Sequence, residues 1–116
     1  MRQSTEKYNV SDKYILKIIE YIIENPTANL SVDDLTKIIP LSRRGIEIKF
    51  RKTMGISIYQ FILDKKIEQI SNMLLTTNKN LVEISTELGF NSLRKIFRIF
   101  KKSTGYTPLS FRKKFC

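Results

Sequence analysis

A chain of 116 residues with a formal net charge of +10, no histidine and one cysteine is long enough for one compact domain, or two very small ones sharing an element. Cys116 is the last residue, so an internal disulfide is excluded and a zinc site has almost no ligands to draw on. The charge is polarised: residues 1–39 carry five basic and six acidic side chains, residues 40–116 carry sixteen and five, and no acidic residue follows Glu87. Such a balance suits a polyanion, and nucleic acid is the first candidate. Attraction to an anionic membrane surface is the weaker reading, because the cations share helices with apolar faces patterned like core.

Residues 1–11 are polar and aperiodic and read as a disordered arm or linker remnant. In the next segment, Ile15, Ile18, Ile19, Ile22 and Ile23 recur at i, i+3, i+4, i+7 and i+8, the stripe of an amphipathic helix. Asn25-Pro26 stops it. Ser31 is placed to cap a second helix with Asp33 and Asp34 in its first turn, where negative charge complements the dipole. Val32, Leu35 and Ile39 form its apolar side and Pro40 ends it. Ser42 caps a third helix, RRGIEIKFRKTM, with Ile46 and Phe50 on one face and Gly55 closing it. Gly45 weakens this helix by about 1 kcal/mol relative to alanine.

The longest helical pattern begins at Ser57 and runs to about Leu75, with Phe61 or Leu63, then Ile67, Ile70 and Leu74 as its stripe. TTNKN breaks it and Asn80 caps the next helix. The stretch 81–105, LVEISTELGFNSLRKIFRIFKKSTG, then reads as helix, tight turn, helix. Gly89 supplies the positive φ of a sharp helix end. Ser92 caps the second member, whose apolar face holds Ile96, Ile99 and Phe100. Its other face holds Arg94, Lys95, Arg98, Lys101 and Lys102. Thr107 caps a last short helix with Pro108 at its first position. No strand pattern is present. The fold expected is all-α, about seven helices, with two helix-turn-helix subdomains (12–56 and 78–116) joined by a long connecting helix (57–77).

The two subdomains repeat one another. FRKTMGIS at 50–57 matches FKKSTGYT at 100–107 at an offset of 50, and Ser42, Ile46 and Phe61 meet Ser92, Ile96 and Phe111. Before each turn the offset is 49, so that Leu35 meets Ile84 and Ile39 meets Leu88. The second turn is therefore one residue longer. A capped helix after a tight turn, apolar behind and cationic in front, suits insertion into a major groove, and a duplicated one suits a two-groove reader.

At these residues the chain resembles the DNA-binding domain of AraC/XylS-type bacterial transcription regulators. LSVDDLTKIIPLSRRGIEIKFRKTMGIS, the linker IYQFILDKKIEQISNMLL, and LVEISTELGFNSLRKIFRIFKKSTGYTPLSFR carry the likeness over about residues 12–113. The signature I-S-x-x-x-G-F followed by F-R-x-F-K-K-x-x-G-x-x-P is its most specific part. SRRGIEIKFR is similar to the first recognition helix of the xylose-regulator branch. The resemblance implies one chain placing two recognition helices in successive major grooves on one DNA face.

It also implies residue roles. Arg43, Arg44, Glu47 and Ile48 in the first copy, and Leu93, Arg94, Phe97 and Arg98 in the second, stand where family members read bases. Arginine can pair with guanine, glutamate can accept from cytosine, and Ile48 could meet a thymine methyl group. Leu93 and Phe97 are either thymine-methyl contacts or packing residues. Ser31, Ser42, Lys52, Asn80, Ser92, Lys101 and Lys102 are candidates for phosphate contact, each with a helix cap or a solvated lysine as its plainer reading. The chain departs from the family at Pro40 (usually Gly), Ile48 (commonly Arg), Lys66 and Ile70 (often Arg and Ala). Ser85 and Thr86 are polar where a small apolar residue is usual at 85, and a serine there can bond back to a helix carbonyl.

The function expected is that of a sequence-specific transcription regulator, with double-stranded DNA as partner and RNA polymerase as a further one. No cofactor, metal or membrane is expected, and the location expected is the cytoplasm. The fragment is expected to be monomeric, with any dimerisation or effector sensing residing in a preceding domain. Two alternatives remain at this level: a basic protein binding nucleic acid without sequence preference, and an adaptor for an acidic partner. An enzyme is disfavoured, since the chain lacks histidine, a usable cysteine, a phosphate-cradling glycine loop and a carboxylate pair.

Overall fold

The computed structural model describes residues 12–25 and 30–115, and the expected arm at 1–11 lies outside them. Among the described residues there are seven helices and no strand: α1 Lys13–Glu24, α2 Val32–Leu35, α3 Arg43–Met54, α4 Ile58–Thr76, α5 Leu81–Glu87, α6 Leu93–Thr104 and α7 Pro108–Phe115. No described helix is long and apolar enough to cross a membrane, and no described cluster of His, Cys, Asp or Glu could hold a metal ion. The described chain divides into two compact units, with the boundary between Lys65 and Lys66, inside α4.

In the first unit, Asp12 caps α1 by accepting from the Tyr14 and Ile15 N–H groups at 2.9 and 3.2 Å. Ile15, Ile18, Ile19 and Ile22 are fully buried, whereas Ile23, expected with them, is only half-buried. They pack with Leu30, Val32, Leu35, Ile39, Ile46, Phe50, Ile58, Phe61 and Ile62 in one core. Burying an isoleucine side chain contributes roughly 1.5–3 kcal/mol before chain entropy is charged against it, so α1 is scaffold. On α4 the apolar stripe passes through Phe61; Leu63 is half-buried.

The helix expected over 32–39 is shorter than its pattern. Regular α geometry ends at Leu35, and the chain continues in tighter turns in which the Lys37 and Ile38 N–H groups donate three residues back, to Asp34 and Leu35. Proline at 40 disfavours α geometry in the residue before it, so the last turn tightens instead of propagating. Ile39 still reaches the core. The Leu41 N–H then donates to the Ile39 carbonyl at 2.8 Å across Pro40. This is an inverse γ-turn, whose central φ lies close to the value a proline ring imposes. Pro40 therefore turns the chain sharply without glycine.

The second unit turns the other way. Gly89 has φ 83°, its N–H donates to Thr86 at 3.2 Å, and the Phe90 N–H donates to Ser85 at 2.8 Å. These paired bonds form a left-handed C-cap that satisfies the carbonyls at the end of α5. The core behind it contains Ile67, Ile70, Met73, Leu74, Ile84, Ile96 and Phe100.

The sequence repeat survives in the packing. Phe50 meets Phe61 edge-on at 5.3 Å between centroids, and Phe100 meets Phe111 edge-on at 5.2 Å. Gly55 and Gly105 end α3 and α6 with φ 82° and 83°, each N–H bonding four residues back, to Arg51 and Lys101. A side chain at either glycine would be strained whatever space surrounds it.

Candidate nucleic-acid interface

The exposed faces of α3 and α6 are set by their starts. Ser42 Oγ accepts from the Gly45 N–H at 3.0 Å, and Ser92 Oγ accepts from the Lys95 N–H at 3.3 Å. Each cap fixes where the first turn begins and hence which side chains leave the protein. With Ile46 and Phe50 buried on α3, Arg43, Arg44, Glu47 and Ile48 are exposed; with Ile96 and Phe100 buried on α6, Leu93, Arg94, Phe97 and Arg98 are exposed. The i, i+4 spacing makes neighbours of 43 and 47, 44 and 48, 93 and 97, and 94 and 98.

Of the two readings for Leu93 and Phe97, core packing is not what the structure adopts. They are 43% and 42% exposed, in a helix whose apolar side is already filled. Phe97 also forms one wall of an apolar cleft of about 360 Å³, together with Leu74, Leu81, Pro108 and Leu109. Nothing in the sequence pattern had marked this cleft. Ile48 is 55% exposed, an apolar side chain held out beside Arg44.

Two of the first unit's four candidate contact residues are tied together. Arg43 Nε donates to Glu47 Oε2 at 3.3 Å and its Nη1 donates to Asp33 Oδ1, on α2, at 3.2 Å. Glu47 first, then Asp33, raises the pKa of the Arg43 guanidinium above its ordinary value. All three side chains are about half exposed or more, and solvent screening leaves pairs of that kind contributing little to a fold. Lys49, outside this group, pairs with Asp12 at 2.7 Å, and that ammonium holds the Asp12 carboxyl below the usual range. Burial, and then Lys95, lowers the Lys66 ammonium.

In the second unit Arg94, Arg98, Lys101 and Lys102 are exposed and have no ion-pair partner among the described residues. The nearest acidic residues in sequence are engaged elsewhere. Glu83 accepts from the Asn80 N–H in a capping box, while Asn80 Oδ1 accepts from the Glu83 N–H, each at 2.9 Å; Glu87 pairs with Lys79.

The phosphate candidates divide into caps and free cations. Ser42, Ser92 and Asn80 use their side-chain oxygens as caps, and the Ser31 hydroxyl lies 3.4 Å from Asp34 Oδ2. Lys52, Lys101 and Lys102 are exposed in the last turns of their helices. Arg51 is exposed one residue before Lys52, matches Lys101 at the repeat offset, and belongs with them; the repeat was the signal that could have found it.

Two further residues correct or extend the sequence reading. A serine at 85 can bond back to the helix, but the Ser85 Oγ is buried and has no hydrogen-bond partner among the described residues, and it is Thr86 that donates to Val82 at 2.9 Å. Arg112, unmarked by any pattern, donates to the Leu74 carbonyl at 2.8 Å, the Thr77 carbonyl at 3.1 Å and the Lys79 carbonyl. It closes the C-terminus of α4, where carbonyls lack helical partners and positive charge suits the dipole. In doing so it anchors the loop that delivers Asn80 to the start of α5.

These features agree with the relatives of the chain. The model of a helix-turn-helix domain family matches residues 35–114. Over 111 residues, 96% of the chain, it is 28% identical to the xylose operon regulatory protein of Escherichia coli K12, and it spans 28% of that relative. Among solved structures, a probable AraC family transcriptional regulator from Rhodopseudomonas palustris superposes with TM-score 0.77 at 22% identity, over 89% of this chain and 97% of that one. The DNA-binding domain of AdpA, solved in complex with a target DNA, superposes with TM-score 0.80 at 20% identity, over 90% and 94%. The chain is a DNA-binding domain of the AraC-type helix-turn-helix family.

Proposed function

We propose that α3 and α6 are the two recognition helices of this domain and that each reads one major groove of a target spanning about two helical turns. The observation that carries the reading is the duplicated, serine-capped helix, with buried apolar residues behind and the exposed residues Arg43, Arg44, Glu47 and Ile48, or Leu93, Arg94, Phe97 and Arg98, in front. Arg43, Arg44, Arg94 and Arg98 take guanine edges, Glu47 takes a cytosine amino group, and Ile48, Leu93 and Phe97 take thymine methyls. Lys52, Arg51, Lys101 and Lys102 hold phosphates and set register; the caps Ser31, Ser42, Asn80 and Ser92 bring their helix starts to the backbone.

The full regulator extends this reading. The chain spans under a third of the length of the xylose operon regulators it matches. Effector sensing, dimerisation and contact with RNA polymerase belong, in this proposal, to the longer protein acting in the cytoplasm, without catalysis by this domain.

Selection from a random duplex pool tests the core of it. A single asymmetric site with two readable halves about one helical turn apart is expected, bound in roughly the nanomolar range with a steep inverse salt dependence. The double variant Arg44→Ala, Arg98→Ala should lower the ratio of specific to random affinity. Equal loss on both DNAs would show that these arginines hold backbone only.

A further inference from the structure

The ion-paired group on the first recognition helix has no counterpart in the second. Under the repeat, Arg43 and Glu47 correspond to Leu93 and Phe97, and no acidic residue follows Glu87. The group contributes little to the fold, because all of its members are exposed. Its geometry is nevertheless specific. Arg43 projects from the first turn of α3, and Asp33, ten residues earlier on α2, reaches its Nη1 while Glu47 takes its Nε.

We propose that Asp33 is a specificity-determining positioning residue that acts through Arg43, holding its guanidinium for a base edge and against the phosphate backbone. The inference rests on reading Arg43 as a base contact. The Nη2 group and the second Nη1 hydrogen remain free, the pair of donors that matches guanine O6 and N7. The carboxylates have the opposite effect on a phosphate, which must approach Arg43 past two like charges. A neutral guanine edge meets much less of that repulsion. On a wrong sequence, an untethered arginine would swing to the nearest phosphate and recover its binding energy there. A tethered one loses it, and that loss is discrimination. Asp33 can do this because Pro40 makes the intervening turn short, so α2 presents its first turn to that of α3.

The test compares binding to the selected target, to the target with the base pair read by Arg43 replaced, and to random duplex. Arg43→Ala first locates that base pair as the position whose preference disappears. Asp33→Asn should then raise affinity for random duplex several-fold and cut discrimination at that one position about tenfold, leaving other positions as they were. In the Arg43→Ala background, Asp33→Asn should leave discrimination unchanged. A structural role alone would shift the thermal midpoint and weaken all positions together. Asp33→Ser, which keeps a small polar residue in the first turn of α2, repeats the measurement should the asparagine variant fold poorly. Unchanged discrimination at that position, or loss spread equally over the site, would overturn the proposal while leaving Arg43 as a reader. If Arg43→Ala alters no base preference, the reading of Arg43 fails and the role of Asp33 falls with it.

Discussion

The two helix-turn-helix units share a frame and differ in what they put on it. The serine caps of α3 and α6, their closing glycines and the aromatic pairs match residue for residue under one offset. Their outward residues do not. The first presents an ion-paired group with a net charge of −1, Asp33–Arg43–Glu47, beside the apolar Ile48. The second presents free cations beside two exposed hydrophobes, Leu93 and Phe97. A scaffold held by buried residues leaves the outward ones to diverge, so one fold can carry two chemistries. In the proposed reading, the first would favour discrimination at the cost of affinity, and the second would supply affinity with a preference for thymine methyls.

The shared frame is broken most severely at its aromatic pairs. Phe50→Ala and Phe100→Ala should each cost about 3–5 kcal/mol in denaturant unfolding, with similar values, because both rings are wholly buried in matching environments. Values differing by more than a factor of two would mean that the units are alike in sequence but not in packing.

Arg112 is where the frames themselves part. Its counterpart under the offset is Ile62, a core residue, whereas Arg112 donates to three carbonyls at the end of α4 and in the loop beyond it. Arg112→Met, which keeps the stem and removes the donors, should destabilise by about 2–3 kcal/mol. Hydrogen exchange should place the loss at residues 74–80. A loss spread evenly over the chain would argue against that anchoring role.

The smallest expected effect has the opposite sign. Ser85→Ala removes a buried hydroxyl that has no partner among the described residues and should raise stability by about 1 kcal/mol, read as a higher thermal midpoint. DNA binding should be unchanged. A fall in stability would mean the hydroxyl is satisfied, for example by a bound water.

How much of this was legible in the sequence follows from the distance over which each feature acts. The helices, the caps at Ser42, Asn80 and Ser92, and the glycine at 89 depend on neighbours a few residues away, and the sequence displays them. The repeat carried more, because matching Phe61 with Phe111 foretold two equivalent ring contacts. The early end of α2 was hidden because Ile39 keeps its buried place even though the geometry beneath it changes. The bond from Asp33 to Arg43 depends on how tightly the turn at Pro40 closes, and that of Arg112 spans up to 38 residues. Neither leaves a trace in periodicity. Ser85 and Thr86 were indistinguishable by type, and only burial separates them.

The turn at Pro40 has a consequence for how such a module can change. A residue gained or lost within a helix would rotate everything beyond it by about a quarter turn and carry the outward side chains off their face. In the turns, backbone groups find partners at either length, across Pro40 in one copy and through the glycine cap in the other. The step from an offset of 49 to one of 50 therefore falls at a position where the chain tolerates insertion and deletion. A loop library that varied length only at 40 or 89 would be expected to yield folded variants far more often than one that varied it at 46 or 96.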